Sequence, residues 1–379
     1  FITSLSTPIV IAKKKKEQIK FYNLGDYQKW CEETPNSNTY NIKYFKGLGT
    51  SNRQESQEYF KEMKLIEYFV DDNSINELRM AFQKDLTDKR KEWLKDYDKN
   101  DVIVLENNKH TKVPLSNFIH KELKHFSNYD NIRSIPHIID GLKPSQRKIL
   151  WSCFKKNLTN EIKVAQLAGY VSEVSEYHHG EASLLGCIVN MAQNFIGSNN
   201  INLLVPQGQF GSRMFGGKDH ASPRYIYTNL SPITFKLFNK LDEELLIKQY
   251  EDNNEIEPIY YVPLLPTILI NGSQGIGTGF STHILQYNPV DIISNIRKLM
   301  RGEELDELFP YFRNYTGQII KEFDKKYNSV GKIHLLDNKK NVLEITELPI
   351  CEWTTDYETF LDKMVLNKQI VSYEKYSTD

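Results

Sequence analysis

Cysteine is scarce and dispersed in this sequence: Cys31, Cys153, Cys187 and Cys351 are the only four among 379 residues, and no two form a C-x-x-C pair. Without closely spaced ligand pairs a zinc site is excluded, and a disulfide framework is equally ill served, so the thiols read as reduced and the protein as intracellular. Long apolar runs are also missing. The strongest, "VPLLPTILI" at 262–270, is broken by two prolines and falls well short of the ~20 residues that span a bilayer. No membrane partner is expected. Phe1 is not followed by a charged region and an apolar core, so the chain looks like an excised piece of a longer protein and Phe1 not like a natural amino terminus. Phosphate-binding loops are absent too. The glycines of "NGSQGIGTG" (271–279) fit G-x-G-x-x-G in no register, and in "GSRMFGGKD" (211–219) Ser212 stands where a phosphate loop needs glycine while Asp219 follows the lysine. No ATP site is expected in this chain. Asp96, Asp98 and Asp101 offer a D-x-D, but no apolar strand delivers them to a sheet edge, and Mg²⁺ demands converging carboxylates in octahedral geometry. They read as a solvated linker.

An excess of charge is missing as well, since the net charge is −1. Its distribution is uneven, however. Residues 141–225 hold nine Lys or Arg against five Asp or Glu, whereas residues 241–379 hold fourteen against twenty-three. The middle of the chain is therefore where a phosphate-binding surface is expected.

What is present is enough apolar content, 40%, for two or three domains with their own cores. Residues 8–24 read as two strands joined by a turn at the lysine run, and 53–67 and 75–95 as charged helices. Residues 96–112 are polar and linker-like. Pro144 marks a helix start, with Gln146, Arg147 and Lys148 in its first turn. Val164, Leu167, Ala168, Val171 and Val174 recur at helical spacing, as do Leu184, Leu185, Ile188, Ala192 and Phe195. Short helices followed by short strands are the layout of a helix-turn-helix domain with a β wing. Beyond about 255 the pattern turns β-rich, with one helix near 289–301. The chain is thus α+β and multidomain, divided as 1–112, 113–255 and 256–379.

Two stretches carry candidate chemistry. In "ASPRYIYTNL" (221–230), strand geometry puts Tyr225 and Tyr227 on one face and Arg224 with Ile226 on the other, so the residues alone leave open a packing strand or a reactive tyrosine. "YHHGE" (177–181) closes a helix. Adjacent side chains diverge on a helix, so His178 and His179 are poor joint metal ligands, and Gly180 suits the C-cap with a histidine near the last carbonyls.

The order of "YFKGLGTS", "RSIPHIIDGLKPSQRKIL", "KVAQLAGYVSEVSEYHHGE", "AQNFIGSNNINLL", "GQFGSRMFGGKDHASPRYIYT" and "ILINGSQGIGTGFST" resembles the breakage-reunion core of eukaryotic-type (type IIA) DNA topoisomerase II, across nearly the whole chain. The resemblance implies the end of a Toprim domain in 1–112, a winged-helix domain with the catalytic tyrosine in 113–255, and the start of a β-rich tower domain in 256–379. It implies that Tyr225 attacks a DNA phosphodiester to form a 5′-phosphotyrosine, with Arg224 steadying the transition state. An aryl oxygen leaves well, so the link conserves its energy for resealing. A guanidinium offers forked donors to the charged equatorial oxygens, and a tyrosine hydroxyl, with an ordinary pKa of about 10, needs such neighbours at neutral pH. By motif position Arg147, His178 and His179 fall beside the reacting phosphate, and Arg90, Lys91, Lys143 and Tyr177 touch DNA. Ile276 is the wedge that bends the duplex, with its flanking glycines letting backbone approach the DNA. The implied partners are double-stranded DNA and a second copy of the chain. The implied cofactors are Mg²⁺, whose ligands in the family lie upstream of Phe1, and ATP, used by an absent ATPase domain.

The implied activity is ATP-dependent passage of one duplex through a double-strand break, in the nucleus or, for a viral protein, in a cytoplasmic factory. By the same reasoning the 379-residue fragment does not cleave DNA unaided. Two rival classes remain: a non-enzymatic DNA-bending winged helix, which has no use for Arg224 beside Tyr225, and an aromatic-rich scaffold, which has no salt-dependent DNA affinity.

Overall fold

The computed structural model describes residues 2–45, 51–103, 110–251, 254–337 and 341–376. Five of the residues of "YFKGLGTS", 46–50, lie outside the described residues. The chain forms two compact units. The first holds residues 1–132 together with 276–281, and the second holds 133–275 and 282–379.

In the first unit the lysine run forms the expected turn. Val10–Lys14 pairs antiparallel with Glu17–Phe21 across Lys15, which takes a left-handed φ of 55°, and Asn41–Tyr44 flanks it on the other edge. Because Val10–Lys14 is the central strand, Val10, Ile11 and Ala12 are all buried. Val10, Ala12 and Phe21 meet the rings of Tyr27, Trp30, Tyr40 and Tyr44. A second sheet pairs Ile2–Leu5 antiparallel with Leu65–Phe69, which runs parallel to His110–Pro114. That parallel pairing moves the boundary expected at 112 to 132. It draws the helical stretch after Pro114 into this unit, where fully buried Ile119 packs with Met80 and Ala81.

The second unit is built on three helices, Pro144–Lys156, Val164–Val174 and Glu181–Ala192. The predicted helical spacing holds. Val164, Leu167, Ala168 and Val171 are buried against Ile149, Leu150, Leu184 and Ile188. A two-residue ladder, Ile162–Lys163 against Tyr227–Thr228, closes one end of this layer. The β-rich remainder lies in the same unit, with no break at 255. It consists of hairpins, Gln318–Phe323 with Lys326–Val330 and Lys332–Asp337 with Val342–Glu347, and the helices Pro289–Arg301 and Thr354–Leu366.

One buried carboxylate ties these layers together. Asp140 has no exposed surface and accepts from Arg147 Nε and Nη2 (2.7 and 3.0 Å), from the Leu142 amide (3.0 Å) and from the Tyr261 amide (2.9 Å). Its own carbonyl accepts from Thr267 Oγ1 at 2.6 Å. Gly141 beside it has φ +65°, and a Cβ there would lie 2.7 Å from Ile268 backbone atoms, so only glycine fits. Losing Asp140 leaves the Arg147 charge buried without a partner. Asp140→Ala therefore destabilises the second unit by about 3–5 kcal/mol, read from the denaturant midpoint, and a loss below about 1 kcal/mol refutes the hub.

Candidate active site

Around the candidate nucleophile the backbone is not the strand that alternation predicts. Tyr225 closes a turn, its amide donating to the Ser222 carbonyl at 2.8 Å, and the strand is confined to Tyr227–Thr228. Tyr225 and Tyr227 therefore do not share a strand face. Tyr227 is half-buried, paired with Lys163 and bridged to Gln207. Tyr225 is 70% exposed, and the Arg224 guanidinium stands 5.7 Å from its ring centroid. The turn is pinned at the start of the helix Val164–Val174. The Val164 amide donates to Ile226 O and the Ala165 amide to Pro223 O, each at 3.0 Å. Two otherwise orphaned amides of that helix are thereby satisfied, and the helix places its positive end beside the turn, favouring negative charge there. Ile226, 1% exposed, anchors the far side in the core.

The histidine pair departs from the predicted cap. The helix ends at Val174, and Gly180, with φ −60°, is the N-cap of the next helix, Glu181–Ala192. His178 and His179 thus lie in the connection between two helices, where the chain can turn them apart. His178 Nε2 pairs with Glu251, and the His179 ring meets Tyr177 edge-on at 5.4 Å. Burial, reinforced by the positive charges of Arg133, His178 and Lys148, pushes the His179 pKa below the usual histidine value. Lys148 is itself held by Glu257 at 2.8 Å, while burial pushes the Glu257 carboxyl up.

Three expected DNA contacts are buried. Arg147 is 5% exposed and its guanidinium serves Asp140 and the Leu142 carbonyl. Arg90 is 9% exposed and donates to Met80 O, Gln83 O and Thr87 Oγ1, sealing the end of the helix Ser74–Phe82. Tyr177 is buried in the helical core, its hydroxyl without a hydrogen-bond partner among the described residues. Lys91 carries, among the described residues, an exposed pair with Asp88, and Lys143 donates to Gln274 O. The arginine that sequence reasoning passed over is Arg133, in the motif "RSIPH". It is exposed, makes no ion pair among the described residues, and its charge reaches His179.

Ile276 tips a hairpin and is 77% exposed. The glycines beside it serve the protein's own packing. A Cβ on Gly277 would lie 2.1 Å from Asn131 Oδ1, and Asn131 Nδ2 donates to Thr278 O at 3.0 Å. Gly275 is likewise pressed on the Ser134 carbonyl. Tight seating of the hairpin on a helix end leaves the Ile276 side chain projecting.

Among the described residues no three His, Cys, Asp or Glu side chains converge closely enough to hold a metal ion. Asp101 is engaged by Lys121 at 2.8 Å, and Asp98 caps the Asn100 amide. No helix of the described residues is long and apolar enough to cross a membrane.

Comparison with known proteins gives this geometry a family. Residues 133–379 match the DNA gyrase/topoisomerase IV A-subunit family, and residues 5–131 match the C-terminal associated domain of TOPRIM. The chain is 46% identical to DNA topoisomerase 2 of Bombyx mori over 396 residues, covering 100% of this chain and 25% of that protein. With DNA topoisomerase 2 of Saccharomyces cerevisiae it shares 48% over 369 residues, covering 95% and 25%. A crystal structure of the Plasmodium falciparum topoisomerase II DNA-binding, cleavage and re-ligation domain superposes with a TM-score of 0.86 at 43% identity, covering 100% of this chain and 52% of that one. The chain belongs to the type II DNA topoisomerase family, as a fragment of the eukaryotic type. It spans about a quarter of the length of the curated relatives it matches.

The histidine offers a direct check on the site's electrostatics. His179 titrates below about 6.5 and is neutral at pH 7. Its folded value is depressed, so the unfolded chain binds more protons between the two values. Its contribution to stability is therefore unpenalised above the unfolded value and falls with pH below it. Arg133→Gln should raise the midpoint in an NMR titration, and an unmoved midpoint removes Arg133 from the site.

Proposed function

We propose that this chain is the part of a type II topoisomerase that cuts and reseals DNA, with Tyr225 as nucleophile. The observation that carries the reading is the exposed Tyr225–Arg224 pair on a turn braced by the positive end of a helix. In the reaction the Tyr225 oxygen attacks the phosphorus and a bond forms from tyrosine oxygen to the 5′-phosphate. The bond to the 3′-oxygen breaks, and that oxygen takes up a proton while the phenol gives one up. Resealing is the reverse. Arg224 supplies donors where charge accumulates on the phosphate oxygens. His179, neutral at pH 7, is suited to accept a proton, and Arg133 adds the cation that buried Arg147 does not present.

Direct contact with double-stranded DNA falls to the part-exposed Lys91 and Lys143 and the exposed His178, Arg133 and Arg224. Arg90, Arg147 and Tyr177 each support their own unit from within. Ile276 is the wedge that unstacks a base step and bends the duplex. The winged-helix reading of the three helices and the tower reading of the β-rich segment belong to the same proposal. So does a homodimer, in which two copies of Tyr225 make a staggered double-strand break for passage of a second duplex. The described residues do not fit a Mg²⁺ site, so no step is routed through the metal. Mg²⁺ binding and ATP hydrolysis are assigned to other parts of the complete protein, which as a eukaryotic-type enzyme acts in the nucleus, or in a cytoplasmic viral factory if its source is a virus.

Tyr225→Phe in the complete protein should abolish covalent protein–DNA adducts while leaving non-covalent binding largely intact. An equal adduct yield rules out this nucleophile. DNA affinity should fall steeply with salt, and a flat salt titration points to the scaffold class instead. The 379-residue fragment alone should give no Mg²⁺-dependent covalent complex; trapping one overturns the assignment of the metal site elsewhere.

A further inference from the structure

Tyr225 has no ring-to-ring packing to hold it among the described residues; its position is set by its backbone. After it, Ile226 is sunk in the core. Before it, the chain arrives through residues 208–221, in which Gly208, Gly211, Gly216 and Gly217 all have positive φ. A loop so rich in glycine loses much conformational entropy on ordering, although Phe210 near its start is buried in the core. Its internal bonds give it shape. Ser212 donates through its amide and hydroxyl to Asp219 (2.8 and 2.6 Å), Gly217 N donates to Ser212 O (2.8 Å), and Ala221 N to Gln209 O (2.9 Å). Gln193 Nε2 holds its inner side through Phe210 O and Gly217 O.

The outer side is held mainly by one short segment, residues 347–355, with Lys375 Nζ also reaching Met214 Sδ at 3.9 Å. Arg213 Nη1 pairs with Glu347, and Nη2 donates to Leu348 O at 2.8 Å. Glu347 is 6% exposed and also accepts from Thr316 N and Oγ1 (3.0 and 2.9 Å). Burial opposes its ionisation, yet the hydrogen bonds from Thr316 and Arg213 hold its carboxyl below the usual range, so the ion pair is charged at neutral pH. Thr355 donates through its amide and Oγ1 to Met214 O (3.2 and 2.9 Å). Trp353 fills the space a side chain at Gly216 would need, 2.4 Å from an ideal Cβ, and rests edge-on against Phe195 at 6.0 Å.

We propose that residues 347–355 are a latch that positions the nucleophile: by gripping Arg213, Met214 and Gly216 they fix the loop that delivers Tyr225. Glu347, Trp353 and Thr355 are then positioning residues for strand cleavage, acting through the loop and without touching DNA. The inference rests on the reading of Tyr225 as nucleophile. The hydrogen bonds between latch and loop are part-buried, and their anchor Glu347 is buried, so the loop is restrained while these contacts hold. Misplacing a reacting group by about 1 Å can cost ~10²-fold in rate.

The test uses the complete protein and follows three quantities: duplex affinity, thermal midpoint, and the rate of covalent adduct formation at saturating DNA. Arg213→Met should slow adduct formation by ~10²-fold with duplex affinity little changed, and Arg213→Lys, which keeps a cation for Glu347, should restore part of the rate. Thr355→Val keeps the side-chain volume and deletes one hydroxyl bond to Met214 O. It should slow the adduct step with the thermal midpoint unchanged, a split that a purely structural role does not produce. A wild-type rate per folded molecule in both Arg213→Met and Thr355→Val overturns the latch. If Arg213→Met does not fold, Thr355→Val alone decides. Tyr225→Phe separates the two claims: adducts that persist in it sink the nucleophile, whereas adducts that need Tyr225 but ignore the latch variants sink only this inference.

Discussion

The carboxylate of Asp140 is wholly out of water, and such a charge persists only where its partners are numerous and well placed. It has four donors drawn from three parts of the second unit: its own turn, the helix Pro144–Lys156, and the segment that leads from Tyr261 into the β-rich region. Because Thr267 returns to the Asp140 carbonyl, the start of that region is fixed at two points. A sister junction lies at Asn200, whose buried amide donates to the carbonyls of Ile270, Tyr287 and Tyr311 while its oxygen accepts from Arg313 N. The helical layer and the β-rich segment are therefore joined by buried hydrogen bonds at two junctions. The same joining underlies both the brace of Tyr225 from the helix start and the grip on its loop from residues 347–355.

Arginine stands in two different settings in this molecule, and burial separates them. Arg147 and Arg90 have their strong donors engaged by protein acceptors, so presenting them to a phosphate means first breaking buried bonds. Arg224 and Arg133 are exposed, and no protein acceptor among the described residues takes their forked donors. The charge excess in residues 141–225 overstates the phosphate-binding capacity of that stretch, since Arg147, Lys148 and Arg213 are all bound to buried or nearly buried carboxylates. What remains for a polyanion is a smaller set of cations around the turn and the histidines.

Much of this was legible in the sequence where structure is local. The spacing of Val164, Leu167, Ala168 and Val171 sufficed for a buried helix face, and Pro144 marked a real helix start. The lysine run made its hairpin because two strands of complementary pattern flanked it. The failures are all long-range. Nothing near residue 112 announces that His110–Pro114 pairs with a strand some forty residues earlier, so the boundary fell short. Alternation around Tyr225 favoured a strand, but the amides of Val164 and Ala165 claim the carbonyls of Ile226 and Pro223 and bend the chain into a turn. Gly180 fitted a C-cap by type, and only the helix that follows shows it to be an N-cap. A side chain's identity is local, whereas its hydrogen-bond partner is not, and Arg147 could not be told from Arg133 before Asp140 was in place.

The presentation of Tyr225 follows from an opposition of requirements. On the proposed reading of Tyr225 as nucleophile it has to be exposed to reach a duplex, and an exposed tyrosine gains little packing energy to hold its ring in one place. Placing it within a regular strand would fix it but would turn alternate residues into the core. A turn solves this by moving the constraint from the ring to the backbone, with Ile226 sunk on one side, the helix start on the carbonyls, and the loop from Gly208 on the other side. The glycines of that loop allow its sharp reversals, but they also weaken it as a support. The structure compensates from outside, setting an ion pair on buried Glu347, a threonine and a tryptophan against this glycine-rich stretch. The restraint that one exposed tyrosine needs is thus distributed over residues more than a hundred positions away in sequence, which is why the site cannot be read from "ASPRYIYTNL" alone.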